Sequence, residues 1–206
     1  MTGCHLHIAH VTSARGVELV ADAKARGVRI TAEVTPSHLF LTEEAVFGPG
    51  PEPRYDTNAR INPPLRTEAD RRALCAGLNS GLIDAIATDH APHAIEDKLC
   101  EFDFAANGIS CFETALGQLM TLVSRRELDL ARVLRALTSG PAGAFDLSRR
   151  VPGIASLAEG SPSDITIIDP NRSWTVETAR FVSKGKNSPL DGVALTGAVV
   201  ATIVGG

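Results

Sequence analysis

The first part of the chain alternates short apolar runs with longer segments whose apolar positions recur at helical spacing. Three apolar runs, rich in β-branched and small residues, predict strands at residues 4–12, 28–36 and 82–90. Residues 13–27 and 67–81 lie between them and predict helices, each with a cap residue at its start, Ser13 or Thr67, and a glycine at its end.

The rest of the pattern is less regular. Residues 37–66 are rich in Pro, Gly and Asn and predict one long ordered loop, a length that is usually functional in a compact domain. After a further loop, residues 110–128 and 129–147 predict two amphipathic helices. Short β stretches separated by turn residues then follow, at residues 164–170, 173–177 and 197–206.

Strands that alternate with helices predict a parallel sheet with crossover helices. We therefore predict an α/β fold with two units, a partial (β/α) barrel over residues 1–148 and a small β unit over residues 149–206. A closed eight-stranded barrel takes about 250 residues. With three parallel strands predicted here, the chain resembles the back part of something larger.

Composition narrows the function class. The chain has 206 residues, 44% of them hydrophobic and 4% aromatic, with a net charge of −4. This argues against a nucleic-acid-binding protein, which would carry a basic face. No apolar run approaches the roughly 18 residues of a membrane span, and the first residues do not have the pattern of a signal peptide. The four cysteines are widely spaced without a CxxC pair, which is typical of reduced cysteines in a cytoplasmic protein.

Polar side chains follow each predicted strand, where functional groups of parallel α/β folds gather. They are His10 after the first strand, Glu33, Thr35 and His38 along and after the second, and Asp89 and His90 after the third. Because these strand ends share one rim, we expect the side chains to converge there.

The segment "CHLHIAH" offers four possible zinc ligands, Cys4, His5, His7 and His10. Side chains alternate along a strand, so His5 and His7 should share one face, and Cys4 and His10 the other. Since only His10 comes at the strand end, it is the metal candidate. We expect His5 and His7 to pack against a neighbouring helix or loop.

Asp89 ends a strand that should be buried on both faces, where a carboxylate needs a cation or several donors. A metal would be such a partner, and backbone N–H groups are the structural alternative. His93 follows Pro92 on a loop and either contacts a substrate or faces solvent. His90 either supports the site or is structural.

The stretch "YDTNARINPPLR" combines amide and guanidinium side chains with two prolines that stiffen the loop. Such groups, Asn58, Arg60, Asn62 and Arg66, suit recognition of a planar polar ligand. A rigid connector whose Asn side chains bond the local backbone is the equal alternative.

Several of these strings together resemble class I dihydroorotases, which are metal-dependent amidohydrolases with a barrel and a β-sandwich. They are "HIAHVT", "AEVTPSHLFLT", "YDTNARINPPLR", "IDAIATDHAPH", "SKGKNSPLDG" and "GSPSDITIIDP". The resemblance extends over essentially the whole chain, as barrel strands six to eight plus part of the sandwich. Hydantoinases and allantoinases share the general plan but resemble these strings less closely.

The resemblance implies roles for six residues. His10 matches a metal-binding histidine, and Asp89 matches the aspartate that binds metal and acts as general base and acid. Asn62 and His93 match residues that hold dihydroorotate. The backbone of Asn107 and Gly108 falls where the family contacts the pyrimidine ring, although "GISCFETAL" has fewer glycines than the family version.

The resemblance also implies a cofactor, one or two zinc ions, whose other ligands we expect upstream of this chain: a first-strand HxH pair, a bridging ligand and a further histidine. The implied substrates are dihydroorotate and carbamoyl aspartate. Because only His10 and Asp89 match metal ligands, we expect weak metal binding and little turnover from the chain alone. The alternatives are a truncated enzyme, a half that complements an N-terminal partner, or a non-catalytic scaffold for a transcarbamoylase. The chain would act as a homo-oligomer or with such a partner.

Overall fold

The computed structural model describes residues 3–48 and 52–206. The strands are β1 (Leu6–Ile8), β2 (Ile30–Val34), β3 (Ala85–Ile86), β4 (Ile165–Thr175) and β5 (Ala194–Ile203). The helices are α1 (Ala14–Ala25), α2 (Pro36–Phe40), α3 (Glu44–Phe47), α4 (Glu68–Ser80), α5 (Ala115–Ser124), α6 (Leu130–Leu137) and α7 (Ser139–Ala144).

The first three strands form a parallel sheet in the order β1-β2-β3. Leu6 pairs with Ile30, and Val34 pairs with Ile86. The connections contain helices, as parallel strands require. This confirms the α/β class with parallel strands, and the carboxyl ends of all three strands therefore lie at one rim.

Helices α1 and α4 begin and end as their sequences predict. The Ser13 hydroxyl accepts the Gly16 N–H at the start of α1, and the Thr67 hydroxyl accepts the Asp70 N–H at the start of α4. Helix α4 ends at Gly81, whose left-handed conformation glycine adopts without a Cβ clash. The main core lies between sheet and helices and includes Val20, Val34, Leu39, Leu74, Leu78, Leu119, Leu122 and Val133.

The tail forms a two-stranded antiparallel sheet of β4 and β5, which packs on α5. The contact is close, because a Cβ on Gly117 of α5 would lie 3.0 Å from both Leu195 and Trp174. The Thr196 N–H also donates to Thr121 Oγ1 at 2.8 Å. The tail is thereby fixed to the α/β part.

Several predictions of element boundaries were wrong. The strands predicted over residues 4–12 and 82–90 are shorter, at Leu6–Ile8 and Ala85–Ile86. The long loop contains α2, α3 and a 3-10 turn at Thr57–Ala59. The helix predicted over residues 129–147 is two helices, because Thr138 has a non-helical backbone between them. The β stretches at residues 164–170 and 173–177 are one strand, β4, in which register shifts accommodate Pro170.

Among the residues that the structure describes, no helix has the length and apolar character that crossing a membrane requires.

Candidate active site

Two residues with a left-handed backbone follow the parallel strands. His10 comes shortly after β1 and Asp89 shortly after β3, with φ angles of 53° and 50°. Residues with a Cβ seldom adopt this conformation, which costs about 1–3 kcal/mol and persists only where the surrounding structure imposes it. Such strain is concentrated at functional sites.

His10 and Asp89, which we call the rim pair, lie side by side. Nε2 of His10 is 3.6 Å from Oδ1 of Asp89, and each side chain is about one quarter exposed, at 25% and 26%. Zinc bonds nitrogen and oxygen ligands at about 2.0–2.2 Å. Because two such bonds together exceed the separation, both atoms can reach one ion.

Glu33 of β2 contacts the ring nitrogen of His10 that faces away from Asp89. Its Oε1 lies 3.1 Å from His10 Nδ1, although none of the described residues makes a hydrogen bond of good geometry with this buried nitrogen. A carboxylate at the second nitrogen commonly orients a metal-binding imidazole. The sequence indicated Glu33 only as a polar residue near a strand end, and its contact with His10 was not predicted.

The predicted separation of His7 and His10 on opposite faces was wrong. His7 Nε2 lies 3.1 Å from Glu33 Oε2, so both histidines contact one carboxylate. The alternation rule fails because β1 ends at Ile8 and the positive φ of His10 turns the chain.

His5 and His7 contact strand β2 rather than only a helix or loop. His5 Nε2 lies 3.0 Å and His7 Nδ1 2.7 Å from the same hydroxyl, Thr31 Oγ1. The ring of His7 also contacts Phe145 at the end of α7, with 4.7 Å between centroids. The predicted helix contact therefore holds for His7, beside a strand contact that was not predicted.

His38 lies within α2 rather than at the end of β2. Its Nε2 donates to the Pro63 carbonyl at 2.9 Å, and its Nδ1 lies 2.7 Å from Thr35 Oγ1. Burial lowers the pKa of His38, outweighing the opposite effects of the Pro63 carbonyl and the Asp89 charge. His38 therefore fixes the loop that carries Asn62, through the carbonyl of the adjacent Pro63.

Asn62 is exposed on this loop and precedes Pro63 through a cis peptide bond. Ile61 and Leu65 on either side are buried in a small apolar cluster with Ile109. The apolar neighbours anchor the loop and leave the Asn62 amide open to a ligand.

His93, Asn107 and Gly108 lie close together, although His93 and Asn107 are 14 positions apart in the chain. His93 Nε2 donates to the Asn107 carbonyl at 2.9 Å. The Gly108 N–H donates to Arg60 O at 2.9 Å, so it is already used. Gly108 has φ 149°, and a Cβ there would lie 2.5 Å from Ala91 Cβ. Only glycine permits this close approach.

We call the contact of residues 91–93, 107–110 and 183–187 the loop junction. Its third segment comes from the tail, between β4 and β5. Asn187 is buried there and bonds to both other segments through its amide. Apart from the string "SKGKNSPLDG", which resembles the family, no sequence signal indicated that the tail reaches this rim.

Lys98 holds the neighbouring loop although it is only 4% exposed. Its Nζ donates to three carbonyl oxygens, of Thr57, Arg60 and Ala106, at 2.9, 3.3 and 2.6 Å. Burial, together with the Arg60 charge, lowers the pKa of Lys98 to about 8. Arg60 donates in turn to the carbonyls of Phe102 and Ala105. Two cations thus fix this loop to the segment preceding Asn62.

His90 links the rim to the tail. Its ring stacks on Phe112 at 3.8 Å, and its Nδ1 accepts the N–H groups of Cys111 and Phe112 at 3.1 and 3.2 Å. Its Nε2 lies 3.3 Å from Ser183 Oγ, which donates to Glu113 at 3.1 Å. The sequence left open whether His90 supports the site or has a structural role, and these contacts favour the structural role.

A cavity of about 720 Å³ adjoins His93. Three lysines line it, Lys98, Lys184 and Lys186, and no carboxylate side chain of the described residues does. The exposed side chains of Lys184 and Lys186 make this cavity attractive to anions, whereas Lys98 Nζ is bonded to three backbone carbonyls.

Within residues 3–48 and 52–206, no group of three or more His, Cys, Asp or Glu side chains is arranged to hold a metal ion. Catalytic zinc sites usually have three protein ligands. The rim pair therefore fits two ligand positions of such a site and leaves the others to be supplied.

The chain is similar to known proteins in both sequence and structure. The sequence profile described as "Amidohydrolase family" matches residues 1–206. The dihydroorotase of Pelotomaculum thermopropionicum is 49% identical over 208 residues, and that of Syntrophus aciditrophicus is 44% identical over 205 residues. Each match covers 100% of this chain and 46% of the relative, so the chain spans about half the length of these curated relatives.

Among solved structures, an L-hydantoinase (dihydropyrimidinase) from Arthrobacter aurescens superposes with a TM-score of 0.89 at 32% identity. The superposition covers 99% of this chain and 44% of the hydantoinase. The observed parallel strands and helices are therefore consistent with part of an amidohydrolase barrel.

Proposed function

The chain belongs to the amidohydrolase family, and from that membership we propose that it carries one side of a dihydroorotase active site. The reaction is the reversible interconversion of dihydroorotate and carbamoyl aspartate. One observation carries the proposal: His10 and Asp89 lie 3.6 Å apart at the strand ends, both in a strained left-handed conformation. A scaffold alone has no physical need for this pair.

His10 and Asp89 would hold zinc, with the remaining ligands supplied by protein outside this chain. Zinc supplies a water acidified towards neutral pH and polarises the amide carbonyl. Glu33 keeps the His10 ring oriented with Nε2 towards Asp89.

Asp89 is the general base and acid. Its carboxylate takes the proton of the attacking water at Oδ and delivers it to the leaving ring nitrogen. Its position at the end of β3, about one quarter exposed at 26%, leaves it open to substrate.

Asn62 and His93 would hold the substrate, with the backbone of Asn107 beside them. Among the described residues, Asn187 Nδ2 donates to the Gly108 carbonyl, whose second lone pair would serve the substrate. The Gly108 N–H is bonded to the Arg60 carbonyl. The lysine-lined cavity next to His93 supports an anionic substrate, and both dihydroorotate and carbamoyl aspartate carry carboxylates.

Hydrolysis of hydantoin or allantoin is the second candidate function. The superposition on a hydantoinase favours it. These cyclic amides lack the carboxylate of dihydroorotate, so the lysines would give them no advantage.

We further propose that residues 1–148 form the barrel part and residues 149–206 the β unit, as the sequence pattern indicates. We also propose that the chain acts as a homo-oligomer or with a complementing subunit such as a transcarbamoylase. The buried thiols of Cys75 and Cys111 suit a reducing cytoplasm.

The test measures the zinc content of the purified chain, alone and mixed with the N-terminal half of a dihydroorotase barrel. We expect little zinc alone, stoichiometric zinc in the mixture, and dihydroorotate turnover faster than that of hydantoin or allantoin. Asp89→Asn should abolish turnover, and His10→Ala should remove the zinc.

Turnover of hydantoin above dihydroorotate would favour the second candidate. A soluble mixture that binds no zinc, or an unchanged zinc content in His10→Ala, would overturn the proposed metal site.

A further inference from the structure

The Asn187 side chain lies at the centre of the loop junction. Its Nδ2 donates to the carbonyls of Ala91 and Gly108, both at 3.0 Å. Its Oδ1 accepts the His93 N–H at 2.9 Å and lies 3.3 Å from the Ser110 hydroxyl, whose single proton is shared with the Gly185 carbonyl at 2.7 Å. A carboxamide has two donor hydrogens and two acceptor lone pairs, so both donors and one acceptor of this side chain are fully used.

Asn187 is only 5% exposed, so these bonds are made away from solvent. Its own carbonyl also accepts the Ser110 N–H at 2.8 Å. Burial makes the loss of a hydrogen-bond partner costly, because a carbonyl or N–H left unpaired there cannot bond to water instead. The three segments of the loop junction are therefore held in one arrangement.

Asn187 bonds to the backbone of residues that we propose to bind the substrate. They reach the N–H of His93 and the carbonyl of Gly108, while the His93 ring itself bonds to the Asn107 carbonyl. A change at Asn187 would therefore move His93 relative to residues 107–108. Displacements of about 1 Å at such groups are enough to reduce binding and turnover strongly.

We propose that Asn187 is a positioning residue that sets the separation between His93 and the Asn107–Gly108 backbone for a bound cyclic amide. The inference rests on the proposed function for the identity of that ligand. Its structural core, the dependence of His93 on Asn187, can be measured without any ligand. The tail segment thereby becomes one wall of the site rather than an appendage.

The test compares Asn187→Asp with Ser110→Ala in the full chain. Asp has the size of Asn but turns the Nδ2 donor into an oxygen that faces the Ala91 and Gly108 carbonyls. Ser110→Ala removes a hydroxyl that donates to the Gly185 carbonyl at 2.7 Å and lies beside the Asn187 oxygen. It leaves both Asn187 donors and the bond to the His93 N–H in place. Asn187→Ala is the second variant, since it removes the bonds without adding a repulsive charge.

Without ligand, we measure hydrogen exchange of the His93 amide and the imidazole nitrogen shifts of His93 by NMR. Asn187→Asp and Asn187→Ala should speed exchange of this amide about tenfold or more and change the ring shifts as the bond to Asn107 is lost. Ser110→Ala should stay within about threefold of wild type. Amides at the end of α4, such as that of Leu82, should not change in any variant.

With L-dihydroorotate as the probe, we measure the dissociation constant by NMR titration of the chain mixed with an N-terminal barrel half. Both Asn187 variants should weaken binding about tenfold, with zinc content unchanged. Unaltered His93 exchange and ring shifts in both variants would overturn the positioning role, whatever the ligand result. Altered exchange with unaltered dihydroorotate affinity would overturn the assignment of that role to the ligand.

Failure of the proposed function is separate from both outcomes. In that case the wild-type mixture binds neither zinc nor dihydroorotate, while the ligand-free exchange measurement still decides whether Asn187 positions His93.

Discussion

The rim pair and the loop junction lie next to each other but differ in how well their polar groups are satisfied. At the rim pair, two ligand-type atoms face each other at 3.6 Å, and no described residue makes a well-formed hydrogen bond with the buried Nδ1 of His10. In the loop junction, the Asn187 amide uses both donors, and its oxygen accepts the His93 N–H.

The two regions are therefore prepared for a ligand in different ways. The surrounding structure holds the rim pair in a strained backbone conformation, and the pair gains its remaining interactions from the ligand that it binds. The loop junction is completed by the protein itself, so it can present His93 and Asn107 in place before a ligand arrives. We expect mutations in the loop junction to lower folding stability, and mutations in the rim pair to preserve or raise it.

The largest effect should come from Gly185→Ala in the loop junction. The new Cβ would lie 2.6 Å from the His93 nitrogen and 2.7 Å from Pro92 Cβ, which the backbone cannot accommodate without moving. We expect a loss of about 2–4 kcal/mol in the free energy of unfolding, measured by urea denaturation.

The matched control is Gly143→Ala in α7, where a Cβ meets nothing within 4 Å. It should raise the unfolding free energy by up to about 1 kcal/mol, because alanine favours a helix over glycine. Equal stabilities of the two alanine variants would show that the loop junction tolerates a shift.

A smaller effect is expected from Lys98→Met. The change leaves the three carbonyls without their cation and should cost about 1–3 kcal/mol. The pKa of Lys98 is lowered to about 8 in the folded chain, against about 10.4 when unfolded. Between these values the unfolded chain binds more protons, so wild-type stability rises with pH relative to the variant.

The cost of Lys98→Met, measured by urea denaturation, should therefore grow between pH 8 and pH 10, by at most about 1.4 kcal/mol per pH unit. Lys184→Met, at an exposed lysine, controls for the general effect of high pH. A Lys98→Met cost that falls across this interval would contradict the lowered pKa.

The smallest effect concerns the strain at the rim pair. His10→Gly should be more stable than His10→Val by about 1–2 kcal/mol, because only glycine adopts φ 53° freely. His7→Gly, within extended β1, should instead lower stability by about 0.5–1 kcal/mol. Thermal unfolding of the four proteins, including wild type, measures these differences. A valine at position 10 as stable as glycine would show that the strain is absent.

Much of the fold was predictable from local signals. The helices α1 and α4 could be predicted because their caps and apolar spacing act within one or two turns. The two β stretches that form β4 were not recognised as one strand, because the bulge around Pro170 depends on pairing with β5.

The candidate site was predictable only in part. The sequence marked His10 and Asp89 through the rule that strand ends share a rim, and the structure brings these two together; their metal role stays a prediction. It did not mark Asn187 or Lys98, since a buried Asn or Lys has no local pattern that distinguishes it from a surface one.

The sequence by itself determined the alternation of the three parallel strands with α1 and α4, and the polar residues at each strand end, because periodicity and capping are properties of neighbouring residues. Only the tertiary structure decided that Glu33 joins His7 to His10, and that Asn187 joins His93 to Gly108. These contacts link residues far apart in the chain. They form only when packing brings buried donors and acceptors within bonding distance and removes the water that would otherwise satisfy them.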